Sequence, residues 1–416
     1  MNKLFLVIIA FISLQSCKQT KVDYLKNNRF DINASNFNFP QKDFKMIGFG
    51  AYHGSAKTED VELKFLESLT KDGTIEYYLP EVDYSTAFYY NKFLKTGDTI
   101  LLKELVFHNG YHTAQERTIQ FYNKWKKLKQ INDKLPKENK IKVLGIEWVV
   151  GYTYTIKHLL EIFKDNKELN TVNDIKNMMA LDTVNLYSGH RGLAHKTLKN
   201  FVSDYNSNKE MYLNKVKKPD ELEYIIKNLN HSFDKNIERE KLIYENYLDL
   251  NKIYDFKNNK QFFRVGFFHL EKSRQGKEGY ASLFTRLIEN NIHTDKEILS
   301  VIGFFMDSHV VWDEIYEKGK YKSYTTEGGF GIGDYEKEYF RGIQLLKDAK
   351  ISDKTLFRLN LKNSPYANKE PDLIEVILQD KKSNTEAVKG MATLKFLDYA
   401  VLISNSKASI PIQEMK

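Results

Sequence analysis

The fold class is decided by residues 44–55, which read FKMIGFGAYHGS. The apolar run 44–49 is typical of a short buried strand. Glycines at positions 48, 50 and 54 let the backbone turn sharply and let a ligand approach closely. His53 comes directly after this strand. The stretch therefore predicts a strand that delivers a histidine to the edge of a sheet.

Apolar segments that lead into a titratable residue recur along the chain. Helix-like segments separate them, and residues 58–71 are an example, with apolar side chains on one face. This alternation predicts an α/β fold with a mainly parallel central sheet flanked by helices. The long polar stretch 152–255 predicts a helical insertion or cap. Three further strand-like segments lead into a titratable residue: 75–79 before Glu81, 142–146 before Glu147, and 262–268 before His269; segments 298–306 and 397–404 are also strand-like.

The titratable residues after the four strands form a candidate site. In an open parallel sheet the C-terminal ends of the strands share one edge, and ligands bind in the crevice beyond it. We therefore expect His53, Glu81, Glu147 and His269 to converge, whereas Asp83 is expected to cap a helix or form a turn. Two imidazoles and two carboxylates suit general acid–base catalysis on a water molecule. The same four side chains could instead bind a divalent metal such as zinc or manganese.

The N-terminus has the layout of a secretion signal. Residues 1–17 read MNKLFLVIIAFISLQSC, in which Lys3 is followed by a mostly apolar run of eleven residues, too short to span a bilayer as a helix. The ending resembles the lipobox of bacterial lipoproteins. We therefore predict a signal peptide over 1–16, lipidation of Cys17, and a chain anchored by lipid to the cell envelope outside the cytoplasm. Residues 17–43 are polar and predict a tether.

Composition limits the other possibilities. The 416 residues carry a net charge of +8 that is not concentrated in one stripe with interleaved aromatic residues, so nucleic-acid binding is not expected. A single cysteine excludes a disulfide framework. The expected partners are a small-molecule substrate and, through the lipid, a membrane. No cofactor is expected apart from the divalent metal of the alternative site.

A succession of short motifs resembles the erythromycin esterase-like family. Residues 50–55, GAYHGS, resemble its G-E-x-x-H-G-[ST] segment, in a broader superfamily that includes haem-uptake lipoproteins and metal-dependent peptidases. The resemblance extends over about 44–410 as one domain. Its further landmarks, in the family's order, are Glu81 after a strand, GIE at 145–147, REKLIYEN at 239–246, HLEK at 269–272 and LDYA at 397–400.

Three positions depart from the family pattern. The glutamate that precedes the family's first histidine is missing near Gly50, an aspartate is replaced by Glu147, and the second histidine of the H-N-x-H segment is replaced by Lys272. These departures keep two alternatives open. One is a metal-dependent hydrolase or peptidase of the same superfamily, and the other is a lipoprotein that binds a ligand without catalysis.

The resemblance implies a hydrolase that opens an ester or lactone bond without a metal. His53 would take a proton from water, and Glu81 would orient the imidazole or the water. His269 and Lys272 would stabilise the oxyanion or the leaving oxygen. Arg239 would bind a carboxylate of the substrate or order the helical cap.

Overall fold

The structure is a computed structural model that describes residues 20–415 except 72, 74, 166, 167, 182, 235 and 380–382. The predicted signal peptide and Cys17 lie outside these described residues. Within them, no helix is long and apolar enough to cross a membrane.

The centre of the molecule is an eight-stranded, mainly parallel sheet, which confirms the predicted fold class. From edge to edge the order of its strands is β1-β11-β13-β6-β2-β5-β3-β4, and the pairs from β13 to β4 are all parallel. The strands are β1 (Arg29–Asp31), β2 (Met46–Gly50), β3 (Tyr77–Pro80), β4 (Lys142–Val143), β5 (Gln261–Val265), β6 (Ile298–Met306), β7 (His309–Glu317), β8 (Lys320–Gly328), β9 (Asp334–Tyr335), β10 (Glu338–Phe340), β11 (Lys354–Arg358), β12 (Val376–Leu378) and β13 (Tyr399–Ser404).

Helices cover the two faces of this sheet, and six of them, α6 to α11, follow one another between residues 152 and 254. The helices are α1 (Lys21–Asn27), α2 (Ala56–Thr70), α3 (Tyr84–Thr96), α4 (Thr99–Asn109), α5 (Ile119–Lys134), α6 (Tyr152–Ile162), α7 (Asn170–Met179), α8 (Leu193–Ser207), α9 (Lys209–Leu213), α10 (Pro219–His231), α11 (Arg239–Tyr254), α12 (Leu283–Glu289), α13 (Ile343–Ala349) and α14 (Thr385–Val388).

The central strands are apolar on both faces because each face is covered. Successive side chains of a strand point to opposite sides of the sheet. In β2, Met46 accordingly joins one hydrophobic core, and Ile47 and Phe49 join the other. Gly48 has no room for a side chain, since a Cβ there would lie 2.4 Å from Leu270 Cδ2. Close packing therefore requires a glycine inside this strand.

The predicted tether over 17–43 is wrong for the residues that the structure describes. Thr20 caps α1, and β1 pairs antiparallel with β11, which extends the central sheet by one strand. Tyr24 and Leu25 are buried, and the Tyr24 hydroxyl donates a hydrogen bond to the Leu359 carbonyl oxygen. A seven-residue helix and a three-residue strand are too short to show a hydrophobic period, so this packing left little trace in the sequence.

Candidate functional site

The four predicted residues follow strands that are neighbours in the sheet. His53 lies three residues beyond β2, and Glu81 follows β3 directly. His269 lies in the single helical turn Phe267–Leu270 that follows β5, the strand between β2 and β3. Glu147 comes after β4 and forms an isolated parallel bridge with Asp83, which caps α3 as predicted. The parallel order of β2, β5, β3 and β4 brings these chain segments to one edge.

His53 lies between two buried carboxylates. Its Nδ1 is 2.8 Å from Glu116 Oε1, and its Nε2 is 3.4 Å from Glu81 Oε2. Asn109 Nδ2 donates to the other oxygen of Glu116 at 2.5 Å, which fixes that carboxylate. Burial and the Arg264 guanidinium lower the pKa of His53, but the two carboxylates outweigh them and raise this pKa to about 9.

His269 is paired in the same way. Its Nδ1 forms a short hydrogen bond with the fully buried carboxylate of Glu240, at the start of α11. Burial lowers the pKa of His269, but the Glu240 carboxylate outweighs this effect and raises it. In each histidine one carboxylate, Glu116 or Glu240, therefore binds Nδ1. Nε2 lies on the side of the ring away from that carboxylate.

The two Nε2 atoms border one small space beside Gly266. A Cβ added at Gly266 would lie 3.8 Å from the Nε2 of His53 and 3.9 Å from the Nε2 of His269. The Gly266 amide donates to Glu81 Oε2 at 3.1 Å, so backbone and carboxylate complete the wall of this space. Both rings keep partial access to solvent, with 15% and 13% of their side chains exposed. A reactant in this space can therefore contact both imidazoles.

Arg239 connects the two remaining acids. Its guanidinium bonds Glu81 Oε1 at 2.5 Å and the two oxygens of Glu147 at 2.6 and 3.1 Å. Burial raises the pKa of Glu81, but the hydrogen bond from His53 and the charge of Arg239 hold it well below the usual range. Arg239 was predicted to bind a carboxylate of the substrate. In the structure its guanidinium instead binds two carboxylates of the protein itself.

The ligand set of the metal alternative is not assembled in the part of the chain that the structure describes. Within it, no group of three or more His, Cys, Asp or Glu side chains is arranged to hold a metal ion. The physical reason lies in Arg239, whose positive guanidinium already occupies the oxygens of Glu81 and Glu147 that a cation would need.

The predicted role of Lys272 at the oxyanion is wrong. Its ammonium is buried between Asp398, at 3.0 Å, and Asp295, at 2.9 Å. These aspartates precede β13 and β6, so they lie at the N-terminal ends of parallel strands, opposite the edge that carries His53. The chain after His269 returns along the sheet, and the Lys272 ammonium therefore neutralises a buried acid at the N-terminal ends of the strands, not at the C-terminal ends beside the histidine pair.

A second layer of buried charge lies beneath His53. Arg264, within β5, has its Nε 3.4 Å from Glu62 Oε2, and Lys124 bonds the same carboxylate at 3.1 Å. Burial raises the pKa of the adjacent Glu59 to about 7, against the charge of Lys124. The positive charge of Arg264 lowers the pKa of His53, so this layer partly offsets the rise in pKa that the two carboxylates cause.

Two carboxylates of the site were missed in the sequence. The sequence T-A-Q-E at 113–116 fits the pattern of a capping box, but α5 begins at Ile119 and is capped by Thr118. Residues 114–116 form a separate single turn, which frees Glu116 to reach His53. Glu240 lies in the motif at 239–246, and its position beside Arg239 was the available signal.

An open cavity of about 550 Å³ adjoins His269. It is large enough for part of a small organic molecule. Its lining residues are Phe268, His269, Glu271, Gln275, Tyr280 and Ala387.

Comparison with known proteins shows a shared fold. No protein-family profile and no curated protein matches the chain. A Bacillus cereus protein of known structure matches with a TM-score of 0.63 at 13% identity, over 94% of this chain and 98% of that one. A succinoglycan biosynthesis protein matches with a TM-score of 0.63 at 13% identity, over 95% and 99%. The erythromycin esterase EreC, in an open conformation, matches with a TM-score of 0.55 at 11% identity, over 90% and 93%.

Proposed function

We propose that the chain is a hydrolase that opens an ester or lactone bond with water activated by histidine. One observation carries this proposal: each of two imidazoles is held at Nδ1 by a buried carboxylate, and both Nε2 atoms border the space beside Gly266. A base and an acid on either side of one reactant are what hydrolysis of an ester requires. The fold shared with an erythromycin esterase supports the same class of reaction.

In the proposed reaction, neutral His53 takes a proton from water at Nε2 while the water oxygen forms a bond to the carbonyl carbon. Glu81, 3.4 Å from that nitrogen, stabilises the imidazolium that results. When the carbon–oxygen bond to the leaving group breaks, the His269 imidazolium donates its Nε2 proton to the departing oxygen. The products are a carboxylic acid and an alcohol; His53 then releases its extra proton to solvent and His269 takes one up, which restores the starting state. Glu116 and Glu240 keep the two rings in position.

The protonation state of His53 limits this reaction. With a pKa of about 9, its neutral form amounts to about 1% at pH 7. The proposed base is therefore scarce at neutral pH and becomes abundant only in alkaline solution. We also propose, from the sequence alone, that the mature chain begins at a lipidated Cys17 and acts at the cell envelope.

The test is turnover by the purified mature chain on panels of esters, lactones and amides. His53→Ala should abolish turnover, by about 1000-fold or more, and leave the circular dichroism spectrum unchanged, because a general base contributes about 100- to 10,000-fold. The control is His309→Ala, which removes an exposed imidazole on β7 and should keep full activity.

Three results would contradict the proposal. Undiminished activity of His53→Ala would remove the base assignment. Loss of activity with a chelator, restored by zinc or manganese, would favour the metal-dependent alternative, whereas tight ligand binding without turnover on any panel would favour a binding lipoprotein.

A further inference from the structure

The cavity beside His269 contains a carboxylate with no cationic partner among the described residues. Glu271 lines this cavity, and no salt bridge of the described residues includes it. Two aromatic side chains, Phe268 and Tyr280, line the same cavity and are 55% and 56% exposed. A half-buried acid and two accessible rings therefore share one space next to the histidine pair.

Hydrogen bonds fix how this carboxylate is presented. Asn384 Oδ1 accepts from the Val376 amide, so Asn384 Nδ2 must donate, and it bonds Gln275 Oε1 at 2.9 Å. Gln275 must then direct its own amide nitrogen to Glu271, and Nε2 donates to Glu271 Oε1 at 2.8 Å. This relay leaves the second oxygen of Glu271 available to a ligand.

We propose that this cavity binds a cationic amine, such as a quaternary or tertiary ammonium group, carried by the substrate of the proposed hydrolase. A carboxylate attracts the positive charge directly, and the faces of Phe268 and Tyr280 favour a cation through their π electrons. His269 lines the same cavity, and the Glu240 carboxylate bonded to its Nδ1 offsets the charge that its ring carries when protonated. Glu271 is then a specificity-determining residue that holds the substrate while His53 and His269 act on it.

The ionisation of Glu271 agrees with this role. Burial raises its pKa to about 7, against the hydrogen bond from Gln275. The carboxylate is therefore ionised at pH 8, and the arriving ammonium would stabilise that form. The neighbouring charged groups are the His269–Glu240 pair, while burial raises the pKa of Tyr280 and keeps its hydroxyl neutral there.

The experiment compares two probes of the same shape, one cationic and one neutral. Choline carries a quaternary nitrogen where 3,3-dimethylbutan-1-ol carries a carbon. Binding of each to the mature chain would be measured at pH 8 by titration calorimetry. We expect choline to bind at least tenfold more tightly than its neutral counterpart, Glu271→Gln to remove most of this preference, and the exposed-residue control Glu278→Gln to keep it.

A second variant covers the case in which Glu271→Gln does not fold. Tyr280→Ala changes an exposed ring, and it should weaken choline binding at least threefold with little effect on the neutral probe. Equal affinity of the two probes, no binding of choline, or an unchanged preference in the folded Glu271→Gln protein would overturn the proposal.

The two proposals can fail separately, although this one rests on the proposed function. Neither probe has an ester bond, so choline binding does not depend on turnover. His53→Ala should bind choline like the native chain even though it hydrolyses nothing. Choline binding with no turnover on any panel would refute the hydrolase, and turnover without choline preference would refute the ammonium site.

Discussion

Replacing Gly266 with alanine tests whether the reacting atoms meet between the two imidazoles. The added methyl group would lie 3.8 Å from His53 Nε2, 3.9 Å from His269 Nε2 and 3.5 Å from His269 Cδ2. These are ordinary van der Waals distances, so no atom of the protein needs to move. Gly266 has φ −57° and ψ 147°, which alanine adopts without strain. The folded protein should therefore be as stable as the native chain, or more stable by about 0.4–1 kcal/mol.

The effect on catalysis should be large by comparison. A water oxygen hydrogen-bonded to either Nε2 must lie about 2.7–3.2 Å from it, and the methyl group would occupy part of that region. Displacement of a reactant by about 1 Å costs about 100-fold in rate, or about 2.7 kcal/mol of activation free energy. We expect kcat/KM of Gly266→Ala to fall by at least this factor.

The assay combines kcat/KM on the best ester of the panel with urea unfolding. Gly319→Ala serves as the control: Gly319 lies in the turn between β7 and β8 and has φ +76°, and no atom of the described residues lies within 4 Å of an added Cβ. Backbone strain there should cost about 1 kcal/mol of stability and leave kcat/KM unchanged. If Gly266→Ala kept half or more of the native kcat/KM, the reaction would not occur between His53 and His269.

The other predictions concern protonation and Lys272. Because neutral His53 is the proposed base, kcat/KM should rise with pH from pH 6 towards about pH 9, and it should fall again once His269, the proposed acid, loses its proton; a fall between pH 6 and pH 8 would contradict the base assignment. In Glu116→Gln the His53 pKa should fall, since one carboxylate is lost, and the rise of kcat/KM with pH should therefore move to lower pH. An unmoved profile would contradict the pairing of His53 with Glu116. Lys272→Met leaves Asp398 buried without its partner, so urea unfolding should show a loss of about 3–5 kcal/mol while kcat of the folded protein stays constant. A lower kcat with unchanged stability would instead support a role of Lys272 in stabilising the oxyanion.

The central fold could be predicted because its strands leave a strong local signal. The segments that became β2, β3 and β6 are largely apolar runs, as expected for strands buried on both faces. Parallel strands align their C-terminal ends, so the approach of His53 to Glu81 followed from the fold class. The catalytic roles of these residues remain predictions.

The contacts of Glu116, Lys272 and Arg239 could not be predicted, because they depend on how distant segments of the chain pack together and no local sequence pattern encodes that packing. Glu116 is 63 residues away from His53 in sequence, and it reaches the imidazole only because a short turn separates it from α5. The position of Lys272 was misjudged because the direction of the chain after His269 is set by packing, not by sequence period. Arg239 was expected to meet a substrate, but one guanidinium between two buried carboxylates satisfies the charges of the protein itself.

The carboxylates around the histidines impose a cost on the proposed base and also supply its orientation. A pKa of about 9 reduces the neutral fraction of His53 about 100-fold at pH 7, and the greater strength of such a base recovers only part of that loss. Glu116 compensates because its hydrogen bond to Nδ1 leaves Nε2 as the reacting nitrogen, and Glu240 does the same for His269. Removing either acid would make neutral imidazole more abundant but free its ring to turn. Orientation of the two rings, rather than abundance of the base, is therefore what this arrangement of charges favours.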